Sequence, residues 1–150
     1  MFNKTNLKGI VATAILALGA ASAAYANVSC PSADDVKSAD RALDTVMRQS
    51  EHGFFVLSAR PTVQSSGMGW MIATQSRADG CDAAYRAGQE SVKSVMSGMM
   101  DQPIEQQGVY ICPYITTSGG MNVMAVAQAQ QGLVFNPAML DMKKIRQQVK

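Results

Sequence analysis

Hydrophobic positions alternate between helical and strand periods along the chain. Between residues 33 and 48, Val36, Ala39, Leu43, Val46 and Met47 recur at helical spacing, with Ser32 placed to cap the first turn and Asp35 three residues on. The pattern predicts a first helix over 33–48. Two β-rich runs follow at 54–63 and 68–75, separated by Gln64-Ser65-Ser66-Gly67, which reads as a hairpin turn. Pro61 marks an edge or strand-end position, because proline has no N–H to give a ladder. Helical spacing returns over 81–100 through Ala84, Gly88, Val92, Val95 and Met99. A second hairpin is predicted from runs at 109–115 and 121–130, turned by Thr116-Thr117-Ser118-Gly119-Gly120.

The two halves echo one another. Cys30, Val46-Met47, Gly53 and Gly67-Met68 align with Cys81, Val95-Met96, Gly108 and Gly120-Met121, a hint of an internally duplicated helix-hairpin unit. A lone hairpin is marginal and each helix must bury its stripe. The expectation is therefore an α+β domain with a four-stranded antiparallel sheet and two helices on one face, in the order α-β-β-α-β-β. Residues 133–135 would extend the sheet. A short C-terminal helix would start at Pro137, with Asn136 as its cap. The sheet face opposite the helices has no assigned cover, and an apolar face there would receive a partner, a second subunit or a flat ligand.

The N-terminus changes the reading of everything after it. Lys4 and Lys8 precede an apolar run over 9–20, and Ala24-Tyr25-Ala26 offers the small-x-small site of signal peptidase. Residues 1–26 thus read as a secretory signal peptide and 27–150 as one exported domain, periplasmic or secreted. The run is too short for a membrane span, and none is expected after cleavage. Lipidation at Cys30 is disfavoured, because Asn27-Val28-Ser29 lacks the usual leucine. The formal charge of +2 is that of Lys4 and Lys8, so the exported part is about neutral. That excludes the basic stripe a nucleic-acid binder needs. The cluster Lys143, Lys144, Arg146 and Lys150 reads as the solvated end of a final helix.

Export also changes the meaning of the cysteines. Cys30, Cys81 and Cys112 are the three in the chain, and an oxidising compartment favours pairing. Cys30 would reach Cys112 if the N-terminal arm lies beside the third strand; Cys30 with Cys81, the two helix starts, competes. One thiol is always left over, buried at a helix start or used between chains. Cys30-Pro31 and Cys112-Pro113 also match a dipeptide found where a cysteine thiolate ligates haem iron.

Other groups suited to haem are His52, the sole histidine, and Tyr110 with Tyr114, four apart on a strand and so on one face. Methionine is abundant, at 11, and Met-x-x-Met pairs invite a copper reading. Only Met96/Met99 and Met139/Met142, the pairs predicted to be helical, have the spacing to chelate. Other methionines read as core filler, and no metal site is assigned. A single histidine leaves no ordinary zinc site and only His52 to serve a nucleophile, and no partner pairs with Glu51 or Asp101. The glycine pairs are turns, not phosphate loops. The chain is therefore not expected to be an enzyme.

Cys30-Pro31-Ser32 after the leader, the helix that follows, and the hairpin bearing Tyr110-Ile111-Cys112-Pro113-Tyr114 resemble a family of small exported proteins of intracellular gammaproteobacteria. Some members of that family are labelled hemin-binding. The resemblance implies an exported protein that holds haem or a similar small molecule, without naming a ligand residue. The expected function is a non-catalytic binding or interaction protein. The alternative is an envelope structural or assembly protein acting as a homodimer, through the free sheet face or Cys81.

Overall fold

The structure, a computed structural model, describes residues 28–129, 135–137 and 140–149. The leader at 1–26, Met139, and residues 133 and 134 of the expected sheet extension lie outside the described residues. The elements are α1 (Ala33–Lys37), a 3-10 turn (Asp40–Ala42), β1 (Thr45–Arg48), β2 (Gly53–Leu57), β3 (Val63–Ser65), β4 (Met68–Arg77), α2 (Cys81–Lys93), β5 (Val95–Gly98), β6 (Ile104–Gln106), β7 (Val109–Thr116), β8 (Val123–Gln128) and α3 (Met142–Gln148).

The fold is α+β, as expected, but the antiparallel sheet has 8 strands rather than four. Its main path is β1-β2-β4-β8-β7-β5, with β3 paired to β4 and β6 to β7. Each side of the β4/β8 junction carries a helix, an edge strand and two inner strands. Val46-Met47 and Val95-Met96 fall on the two edge strands, whereas Gly53 opens a strand and Gly108 sits in a turn.

Local chemistry accounts for the extra strands. The first predicted helix ends at Lys37, after Ser32 Oγ has accepted the Asp35 N–H at 3.1 Å. Asp44 then turns its carboxylate outward, where Oδ1 accepts the Ala59 N–H at 2.8 Å. The β-branched Thr45 and Val46 continue as β1. The predicted strand over 54–63 breaks at Ala59-Arg60-Pro61, and the hairpin turn narrows to Ser66-Gly67, with φ of 54° and 70°. Gln107-Gly108 repeats that geometry, with φ of 52° and 78°, and joins β6 to β7. Two successive positive φ values are the signature of the tight hairpin turn. The second helix stops at Lys93, since the Ser94 N–H donates to Glu90 O at 3.0 Å and Thr117 N–H takes Ser94 O at 2.9 Å. Residues predicted as its last turns become the edge strand β5.

Strand alternation sorts the core into two layers. Phe54, Val56, Trp70, Ile72, Cys112, Tyr114, Val123 and Ala125 face the helices and pack with Val36, Leu43 and Val92. On α2, Ala84, Gly88 and Val92 form the buried stripe. Gly88 permits close approach: a Cβ there would sit 2.9 Å from Val56 Cβ and 3.1 Å from Thr74 Cγ2. Phe55, Leu57, Ala73, Ile111, Met124 and Val126 face the other way.

That second face was expected to lie uncovered, and it does not. Ile145 of α3 is fully buried against it, joined by Phe135, Leu140, Met142 and Val149. An apolar face of this size must be covered by something, and the C-terminal segment supplies the cover. The final helix starts later than expected, with Asp141 as cap: its Oδ1 accepts the Lys144 N–H at 3.1 Å. Among the described residues no helix is long and apolar enough to cross a membrane.

Candidate ligand cleft

The N-terminal arm crosses the helix-covered face and is tied there at both ends. Cys30 and Cys112 form a disulfide across a sequence separation of 82. The Cys30 N–H also donates to Asp101 O at 2.9 Å. Cys81 is the free thiol and is exposed at the first position of α2, so of its two expected fates the buried one is removed.

Tyr110 and Tyr114 do share one face of β7, as the spacing predicted, but it is the face beneath the helices. The Tyr114 phenol donates to Pro31 O at 2.6 Å and the residue is fully buried. Burial pushes its pKa well above the ordinary phenol value, and the nearby Asp35 carboxylate pushes the same way. Tyr110 is buried beside Cys112 in the same layer. Neither ring is presented to a flat ligand from this position.

His52 stands apart, in the turn between β1 and β2, with its side chain 57% exposed. Its Nδ1 lies 3.7 Å from Asp79 Oδ1 and its Nε2 4.0 Å from Glu51 Oε1. The structure therefore does not bring His52 and the two tyrosines into one site. Among the described residues no group of three His, Cys, Asp or Glu side chains is arranged to hold a metal ion. The copper geometry also changes, because Met96 belongs to strand β5 and is 62% exposed, not on a helix with Met99.

What the sequence did not reveal is a cleft between the second sheet face and the C-terminal segment. Gln49, Phe55 and Gln75 line it from the β1-β2-β4 side, Gln107 from the β6–β7 turn, and Leu140, Asp141 and Met142 from the C-terminal segment; its volume is about 630 Å³. A smaller hollow of about 260 Å³ shares Gln49 and Phe55 and adds Met47, Arg48, Asn136 and Pro137. Cross-strand register makes the row: Met47 sits opposite Phe55, and Phe55 opposite Gln75. These three point to the second face together.

The polar lining is mostly unspent. The carboxamides of Gln49, Gln75 and Gln107 form no hydrogen bond among the described residues. Asp141, by contrast, is engaged as a helix cap, its Oδ2 is 4.0 Å from Lys144 Nζ, and its N–H donates to Gln106 Oε1 at 3.0 Å. Phe55 is 1% exposed and forms a floor rather than a stacking platform. Sequence reading missed the site because its parts come from the β1–β2 hairpin, β4, a turn and the C-terminal segment. The one local signal was Gln75, a polar residue on the same strand face as Ala73. The cleft is of ligand size, which is typically 300–1,000 Å³. No family model matches the chain, and no curated protein and no solved structure matches it either.

Proposed function

We propose that the chain is an exported, non-catalytic binding protein whose site is the cleft under the C-terminal segment. The observation that carries this reading is a ligand-sized opening onto an otherwise buried sheet face, lined by three carboxamides with no partner of their own among the described residues. Export is supported by the disulfide, which forms and persists in oxidising compartments.

Hemin is the narrower form of the proposal and rests on the family resemblance. With Tyr110 and Tyr114 under the helices and two cysteines joined, the iron donor available in the cleft is the thioether of Met142. Titration of hemin into the purified protein tests it. One saturable equivalent with a shifted Soret band, altered by Met142→Ala and insensitive to Tyr110→Phe, is the expected result. Absorbance that grows without saturating would remove hemin as a ligand, and saturable binding abolished by Tyr110→Phe would remove the cleft as its site.

A second reading, homodimeric assembly, is favoured by the exposed Cys81 thiol and by the exposed Met47 and Met96 on the two edge strands. Open edges are ready templates for another chain. Sedimentation with and without reductant decides: a monomer under both conditions eliminates the dimer.

A further inference from the structure

The lining of the cleft narrows the class of ligand, provided that the cleft is the binding site. Each carboxamide sets one donor group beside one acceptor, the same pair that a peptide bond presents in reverse. Gln49, Gln75 and Gln107 bring three such pairs to one opening, none of them used within the described residues. The charges nearby are already committed. Asp141 caps α3, and the Arg48 guanidinium stacks over the Phe54 ring at 5.3 Å. Phe54 belongs to the helix-covered layer, and Arg48 itself also lines the adjoining hollow. A saccharide would find no aromatic surface to lie on, since Phe55 is the ring in the lining and it is buried. The remaining lining is Leu140, Met142 and, in the adjoining hollow, Met47. Unbranched thioethers adapt to side chains of varied shape and are over-used on surfaces that accept many partners.

We infer that the cleft holds an extended polypeptide segment of a partner protein. Main-chain hydrogen bonds to Gln49, Gln75 and Gln107 grip it, while Met47, Leu140 and Met142 receive its side chains with little sequence preference. Carboxamides that read the main chain give affinity without specificity, and pockets for alternate side chains give what specificity there is.

Calorimetric titration tests this with two blocked hexapeptides, one alternating valine with serine and one alternating leucine with threonine, beside maltohexaose and hemin. Both peptides are expected to bind saturably and within about fivefold of each other, and maltohexaose not at all. Gln49 and Gln107 are exposed, so the double variant Gln49→Ala/Gln107→Ala should fold normally and weaken the peptides at least about tenfold. Gln64→Ala, on the helix-covered side, should leave them unchanged. Peptide binding that ignores the double variant would overturn the inference, and so would binding of maltohexaose instead. If no peptide binds but hemin saturates in a Met142-dependent way, the peptide inference falls and the cleft reading stands. If neither binds, both fall.

Discussion

Tyr114 ties the N-terminal arm to the sheet through a phenol that is fully buried and donates to Pro31 O at 2.6 Å. Its replacement by phenylalanine leaves that buried carbonyl without its donor, at a cost of about 1–3 kcal/mol. The pH dependence has a definite sign. Below about pH 10 the phenol is neutral in folded and unfolded chains alike. Above it the unfolded chain ionises while burial and Asp35 hold the folded phenol protonated, so the folded state binds more protons and stability falls as pH rises. Urea unfolding of Tyr114→Phe should therefore show lower stability at pH 8 and a shallower decline toward pH 11 than the parent. An unchanged slope would show that the phenol does not titrate with unfolding. Gly88 makes a second residue-scale prediction. Alanine there improves helix propensity by about 1 kcal/mol, but its Cβ would meet Val56 Cβ at 2.9 Å, an atom that no rotamer change can move. Overpacking costs about 1–3 kcal/mol, so Gly88→Ala should be destabilising by about 1 kcal/mol in thermal or urea unfolding.

At the scale of elements, the C-terminal helix matters most because of what lies under it. Ile145 is its fully buried residue, and Ile145→Ala should cost about 2–3 kcal/mol. Removing the chain beyond Ala129 should instead bare Phe55, Leu57, Ile111 and Val126, giving strong binding of a hydrophobic dye and self-association. A truncated protein that stays monomeric and dye-silent would show that the segment does not cover this face. These elements also mark what was legible. Second-helix positions Ala84, Gly88 and Val92 and the strands around Trp70 and Ile111 follow from periodicity alone. The edge strands β1 and β5 did not, because Val46 and Val95 fall in phase with the helices that precede them; what ends those helices is Ser38, whose N–H and hydroxyl both donate to Asp34 O, and a backbone capture of Ser94. The short β3 and β6 were hidden by their three-residue length, though Gln107-Gly108 between apolar runs was a usable hairpin signal.

On the scale of the whole molecule, one sheet separates a closed layer from an accessible one. The closed layer is stapled by the Cys30–Cys112 bridge, whose separation of 82 corresponds to about 4–5 kcal/mol on the chain-entropy account. Its position beside the third predicted strand was an option readable from sequence, but the choice over Cys30 with Cys81 needed the arm's path. The accessible layer, with its cleft, could not be read, because four separate segments build it. Tyr110 and Tyr114 show the limit clearly: their shared strand face was readable, and which face the helices cover was not. The binding account stands or falls on where ligand arrives. Methionine methyl groups report this directly, because Met47 and Met142 line the cleft and its hollow whereas Met96 is exposed on the far edge strand. In spectra of protein labelled at the methionine methyls and titrated with hemin and with the blocked hexapeptides, Met47 and Met142 should shift saturably while Met96 stays still. Saturable shifts centred on Met96, or no shift with any of these probes, would contradict it.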